Sequence, residues 1–226
     1  MAGSLQAGIR LYRSKRWDAA LKELLDVDTS TFDSEDNLEL AYYLGLCYAK
    51  LEQFDNALLY LEQVVTNGLD PLRTYQCRMA LAYIYAVTGR AKLAEFELTK
   101  LIDTGFESVQ IFTTLAYAAY SQKRYEDAID WYQKALDLER DNPTALNGLG
   151  YILVDTDMDI RRGLVLCKKA VDKKPQNPAY LDSLGWAYYK NGDILEARTW
   201  IRRALDILPR HPEITAHMRT IMGAAS

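Results

Sequence analysis

One spacing constrains this chain more than any other property it has. A small residue sits inside a Leu/Tyr-rich stretch at Gly8, Gly45, Ala82, Ala116, Gly150 and Gly185, with successive steps of 37, 37, 34, 34 and 35 residues. A second small residue follows twelve positions later at Ala20, Ala57, Ala94, Ala128 and Ala197, and thirteen later at Gly163, after a one-residue insertion. The apolar residues around them recur with helical period. All six prolines (Pro71, Pro143, Pro175, Pro178, Pro209 and Pro212) fall between those stretches, where helices stop. Each period therefore reads as two helices joined by a short turn. Two antiparallel helices approach closely only where the facing side chains are Gly or Ala, with Leu and Tyr one turn away filling the flanking grooves. Such a hairpin cannot bury its own apolar face and must stack on its neighbours. A globular bundle with coincidental helical periodicity would not hold this spacing through six units.

Composition narrows the classes further. The 226 residues are 49% hydrophobic and 26% charged with a net charge of -4, which excludes a disordered chain, a collagen or a strongly charged tail. No apolar run approaches the length of a membrane-spanning helix, and the opening MAGSLQAGIR has neither the basic nor the apolar region of an export signal. No direct membrane span is expected. Cys47, Cys77 and Cys167 are odd in number and lack CxxC spacing, so they suggest neither a disulfide framework nor a thiolate metal site.

The repeats resemble the tetratricopeptide family. PAYLDSLGWAYYKNGDILEARTWIRRALDILP carries nearly the whole motif in Leu181, Leu184, Gly185, Tyr188, Gly192, Ala197, Ile201, Ala204 and Pro209. Leu115, Ala116, Tyr125, Ala128, Tyr132 and Ala135 match it two repeats earlier. The resemblance implies an all-α fold, a right-handed α-solenoid of helix-turn-helix hairpins. A single array over 1–226 is expected, with repeats at about 1–34, 38–71, 75–108, 109–142, 143–177 and 178–211 and a capping helix over 212–223. There are departures from the pattern. Asn67-Gly68 and Thr104-Gly105 stand where two repeats lose their closing Pro, with Gly expected to take the left-handed conformation. Gly163 replaces the usual Ala. The MAGS start reads as a cloning remnant, with a segment missing before it.

Sites of chemistry are weakly indicated. Asp155, Asp157 and Asp159 have the DxDxD spacing that opens an EF-hand calcium loop, but Ile160 stands at the Gly position and Leu166 at the bidentate Glu position. The favoured reading is an acidic turn capping the next helix, and no metal is expected. The cysteines and the two histidines, His211 and His217, form no nucleophile–base pattern, and no glycine-rich phosphate loop occurs. No enzyme activity and no cofactor are expected. Arg161, Arg162, Lys168, Lys169, Lys173, Lys174, Arg198, Arg202 and Arg203 concentrate on second helices. In this family those helices form the outer surface. They read as a solvated face, with a docking patch for an anionic partner as the alternative and nucleic acid excluded for want of a stronger basic excess.

The resemblance also implies that first helices line a concave groove. Residues carried onto it are Tyr42, Met79, Tyr83, Thr113, Tyr117, Tyr120, Asn147, Tyr151, Asp182, Trp186 and Tyr189. The ninth repeat position alone reads Ile9, Leu46, Tyr83, Tyr117, Tyr151 and Trp186, a ladder of aromatics suited to binding hot spots. The competing reading is that these rings mainly pack neighbouring first helices together. The Lys/Asn clamp that some family members use on a C-terminal carboxylate is absent, its places holding Tyr42 and Leu46, Met79 and Ala80, Thr113 and Tyr117, and Asn147 and Tyr151. The expected function is a non-enzymatic scaffold or adaptor that binds a peptide or helical segment of a protein partner in the groove. A self-assembly module forming a homo-oligomer, or the regulatory part of a larger enzyme complex, is the alternative. Repeats five and six look like a pair frequent in bacterial envelope-associated members, some of them lipoproteins. That slightly favours the periplasm or cell envelope, whereas unpaired cysteines fit a reducing cytoplasm.

Overall fold

The computed structural model describes residues 4–68 and 70–223, so the Met1–Gly3 start on which the cloning-remnant reading rests lies outside the described residues. Helices and turns dominate it, and the chain divides into two compact units, one ending at Phe106 and the other starting at Glu107. The first unit holds α1 (Leu5–Arg13), α2 (Trp17–Leu25), α3 (Ser34–Lys50), α4 (Phe54–Asn67), α5 (Pro71–Val87) and α6 (Ala91–Asp103). The second holds α7 (Val109–Ser121), α8 (Tyr125–Leu138), α9 (Pro143–Asp155), α10 (Ile160–Lys173), α11 (Pro178–Lys190), α12 (Ile194–Ile207) and α13 (Pro212–Gly223). Each unit is a stack of antiparallel hairpins in which every first helix packs on its own second helix and on the next first helix, and α13 packs on α11 and α12.

Local chemistry explains where the first helices begin. Asp33, Asp70, Ser108, Asn142 and Asn177 each accept a backbone N–H of the first turn with their side chain, and Pro71, Pro143 and Pro178 occupy first-turn positions where a missing N–H costs nothing. The longer period of the early repeats has a simple origin. Helices α3 and α5 are 17 residues long, whereas α7, α9 and α11 are 13, a difference of about one helical turn added before the small residue.

The turns between paired helices share one backbone device. Lys15, Glu52, Gly89, Lys123, Asp157 and Gly192 all have positive φ, between 57° and 91°. They recur at the repeat's own spacing. The next N–H folds back on the helix just completed: Arg16 to Leu11, Gln53 to Tyr48, Arg90 to Tyr85, Arg124 to Ala119 and Asp193 to Tyr188. This is the Schellman closure, which satisfies carbonyls orphaned at a helix end. In the fifth repeat the bond runs from Asp159 to Leu153, one residue longer, so the inserted residue lies in that turn. Gly68 and Gly105 take the expected positive φ, 71° and 84°.

The paired small residues set how near the helices lie. Ala20, Ala57, Ala94, Ala128 and Ala197 are all 0% exposed. A Cβ at Gly185 would lie 2.6 Å from Ile201 Cγ1, and one at Gly45 would lie 2.8 Å from Leu61 Cδ2. Replacement of the usual Ala by Gly163 now has a reason: a Cβ there would meet the Gly150 carbonyl oxygen at 2.6 Å, so backbone touches backbone between α9 and α10. The core runs along each stack through fully buried Leu24, Leu61, Leu81 and Leu98 in the first unit, and Ile111, Leu149, Leu181, Ile201 and Ile221 in the second.

Candidate functional site

In the first unit, the residues carried onto the groove are partly consumed by the structure. Tyr42 and Met79 are buried. The Tyr42 hydroxyl donates to Gln76 Oε1 on α5, and the Arg73 guanidinium lies 5.5 Å from the Tyr42 ring centroid while pairing with Glu39 at 2.7 Å. Tyr42 therefore ties α3 to α5 and is covered by the following repeat. Tyr83 is different, with 53% of its surface exposed on α5.

The second unit makes the same kind of tie more often. Asp155, at the end of α9, accepts from the Tyr120 hydroxyl at 2.9 Å and from Trp186 Nε1 at 3.1 Å, linking α7, α9 and α11 through one carboxylate. The Thr144 and Tyr180 hydroxyls bond each other at 2.9 Å, and Lys190 Nζ donates to Asp157 at 2.7 Å. Asp182 is buried, and His217 Nδ1 of α13 lies 3.0 Å from each of its oxygens. The His217 ring stacks on Trp186 with centroids 4.3 Å apart, and Tyr189 stacks on Trp186 at 5.1 Å. Burial pulls the His217 pKa down, but the Asp182 hydrogen bond and charge, with Glu213 and Asp155, outweigh it and leave the imidazole above its ordinary value. Thr113 turns its hydroxyl back onto the Gln110 carbonyl at 3.2 Å.

Five of the residues carried onto the groove nevertheless meet in one place. Tyr117, Tyr120, Asn147, Tyr151 and Asp182 line an open cavity of about 370 Å³ within the second unit. Tyr117 is 47% exposed at its edge. Thr113, Trp186 and Tyr189 do not line it. The sequence reading missed Tyr132 and Tyr180, which add two more tyrosines, and Glu213 and His211 at the α13 end. Tyr132 belongs to a second helix, and its ring reaches the cavity beneath Gly148, where a Cβ would collide with the ring. The glycine beside Asn147, away from the repeat's small position, was the available signal. Burial drives the Tyr132 hydroxyl well above its ordinary pKa, and burial followed by neighbouring tyrosine and carboxylate charge does the same for Tyr151. These phenols are neutral hydrogen-bonding groups.

The other candidate sites resolve into structural roles. Asp159 caps α10 by accepting the Arg162 N–H at 2.9 Å, Asp157 pairs with Lys190, and Asp155 holds Tyr120 and Trp186, so the three acidic residues serve three separate purposes. Burial pushes the Cys47, Cys77 and Cys167 thiols up to about 12, making them small apolar core residues. Among the described residues no helix is long and apolar enough to cross a membrane.

Family models described as tetratricopeptide or TPR repeats match residues 5–71, 116–156 and 178–211. The chain belongs to the tetratricopeptide repeat family. Its residues are similar to the TPR repeat-containing protein PA4667 of Pseudomonas aeruginosa, 41% identical over 80 residues, which is 35% of this chain and 13% of that relative. The chain thus spans a small fraction of that curated relative. Among solved structures, a chain of the APC/C hetero-tetramer Cut9-Hcn1 superposes with a TM-score of 0.76 at 15% identity, covering 96% of this chain and 42% of the other. YrrB, described as a TPR protein with an unusual peptide-binding site, gives 0.55 at 17% identity, covering 90% and 97%. At these identities the structural likeness is one of tetratricopeptide fold.

Proposed function

We propose that the protein is a non-enzymatic scaffold whose first helices α7, α9 and α11 bind a peptide or helical segment of a protein partner. The cavity lined by Tyr117, Tyr120, Asn147 and Tyr151 carries this reading. It is concave, mostly apolar, contains five tyrosines and is supplied with a few polar atoms, the character of a recognition site, and its tyrosines lose little rotamer entropy on binding. Ties through Asp155 and Asp182 hold its walls before a partner arrives, which reduces the ordering cost of association. The peptide-binding site described for YrrB is an analogy from the same fold.

The test is capture of partners by the full chain, identified by mass spectrometry, compared with Tyr117→Ala/Asn147→Ala. These changes remove one exposed ring and one polar side chain without touching the Asp155 or Asp182 ties. Loss of specific partners with an unchanged melting curve is expected. Undiminished capture by the double variant would move the binding surface elsewhere.

A further inference from the structure

The cavity of the second unit has an electrostatic character that its outer helices conceal. Helices α7, α9 and α11 contain three charged residues: Asp155, Asp182 and Lys190. Lys190 is committed to Asp157 outside the cavity. The basic residues of the unit are gathered instead on second helices, with Arg161, Arg162, Lys168, Lys169 and Lys173 on α10 and Arg198, Arg202 and Arg203 on α12. Among the described residues, no Lys or Arg lines the cavity, whereas Glu213 and Asp182 do, with Asp155 bonded to the Tyr120 wall.

A second observation concerns hydrogen bonding. Asn147 Oδ1 is enclosed and has no donor among the described residues. An enclosed acceptor without a donor is unfavourable, and an occupant that brings an N–H removes that penalty. The tyrosine rings around it attract cations through their negative faces, most strongly once water is displaced. Tyr151 and His217 both feel the Glu213 carboxylate, which favours positive charge near them.

We infer that the cavity takes a cationic side chain, Arg or Lys, from a partner peptide, with the apolar stem between the tyrosines and the head group donating to Asn147 and facing Glu213. This rests on the reading of the α7, α9 and α11 face as a peptide-binding surface, and gives that surface a preference. Arg and Lys suit the dimensions and the mixed lining because their stems are apolar and only their tips are charged. Asp182 is already paired with His217, so an acidic tail would meet the Glu213 carboxylate and, among the described lining residues, no Lys or Arg.

The experiment is an NMR titration of the full ¹⁵N-labelled chain with acetyl-Gly-Ser-Arg-Ser-Gly-amide and with the same peptide carrying Lys, norleucine or Glu at the centre. Resonances around Asn147 and Tyr151 are expected to shift with the Arg and Lys peptides, at least about tenfold more tightly than with norleucine, and not with Glu. Glu213 is exposed, so Glu213→Gln and Glu213→Lys should fold normally, and they should weaken the Arg peptide by about threefold and by tenfold or more. Equal or tighter binding of norleucine, or binding of the Glu peptide, overturns the charge preference while leaving the groove reading intact. If none of the peptides binds, the inference falls. Partner capture by the Tyr117→Ala/Asn147→Ala variant then decides separately whether the groove reading falls with it.

Discussion

Gly150 and Gly163 face each other across α9 and α10 so closely that a Cβ on Gly163 would lie 2.6 Å from the Gly150 carbonyl oxygen. Two effects of substituting Gly163 with Ala oppose each other here. Helix propensity favours Ala by about 1 kcal/mol, while forcing a methyl against backbone costs about 1 to 3 kcal/mol. The obstacle is main chain and cannot rotate away, so Gly163→Ala should be net destabilising by about 1 kcal/mol. Urea denaturation should show a lower midpoint with an unchanged slope. Gly185→Leu, against Ile201 and the Ala197 carbonyl, should lose more.

The left-handed turn residues give a prediction of the opposite sign. Glu52 and Lys123 hold φ of 57° and 61° in the closures of α3 and α7, where a side chain is disfavoured by about 1 to 2 kcal/mol. Replacing either with Gly relieves that strain, at some cost in unfolded-chain entropy. The expected gain is about 0.5 to 1 kcal/mol, read as a higher denaturation midpoint. Asp157→Gly should gain less, because Asp157 also pairs with Lys190.

Stability should depend on pH through His217. Its folded pKa lies above the ordinary value of 6.5, so the folded state holds this proton more tightly than the unfolded chain does. The resulting stabilisation is fully present below about pH 6.5 and is lost as pH rises through the folded value. Denaturation midpoints of the wild type should therefore fall on going from pH 6 upward, and this component should vanish in His217→Gln. Identical pH profiles for the two proteins would remove the Asp182 pairing as its source.

Asp155 offers a fourth test. Alanine there leaves the Tyr120 hydroxyl and the Trp186 indole N–H without their acceptor, which predicts a loss of about 2 kcal/mol. Asn retains one acceptor oxygen and should recover part of it. Thermal melts of Asp155→Ala and Asp155→Asn, compared with each other, separate lost bonding from lost volume.

Much of this architecture was readable before any coordinates. Gly8, Gly45, Gly150 and Gly185 announced close helix contacts because steric exclusion acts through residue size, which a sequence records directly. The prolines did the same for where helices stop, and the acidic turn at residues 155–159 for the start of α10; the caps of the first helices emerged only with the structure. Backbone conformation at Lys15, Glu52, Lys123 and Asp157 was hidden, since nothing in a Lys or Glu side chain signals positive φ. Depth was hidden too. Repeat position specifies the face on which Tyr42 or Asp182 sits, but Arg73 of the next repeat covers one and His217 of α13 pairs with the other. Tyr132 reached the cavity from a second helix only because Gly148 left room, a relationship between two helices that no single-helix pattern contains.

The ties between successive first helices carry an implication for how this chain can be rearranged. Tyr42 needs Gln76 ahead of it; Asp155 needs Tyr120 behind and Trp186 ahead; Asp182 needs His217. Each bond spans roughly one period, yet no two use the same pair of residue types. Units alike in shape are therefore addressed by different polar couplings. A permuted chain with repeats four and five exchanged would mismatch these couplings. The serial order of the hairpins is written in their polar groups.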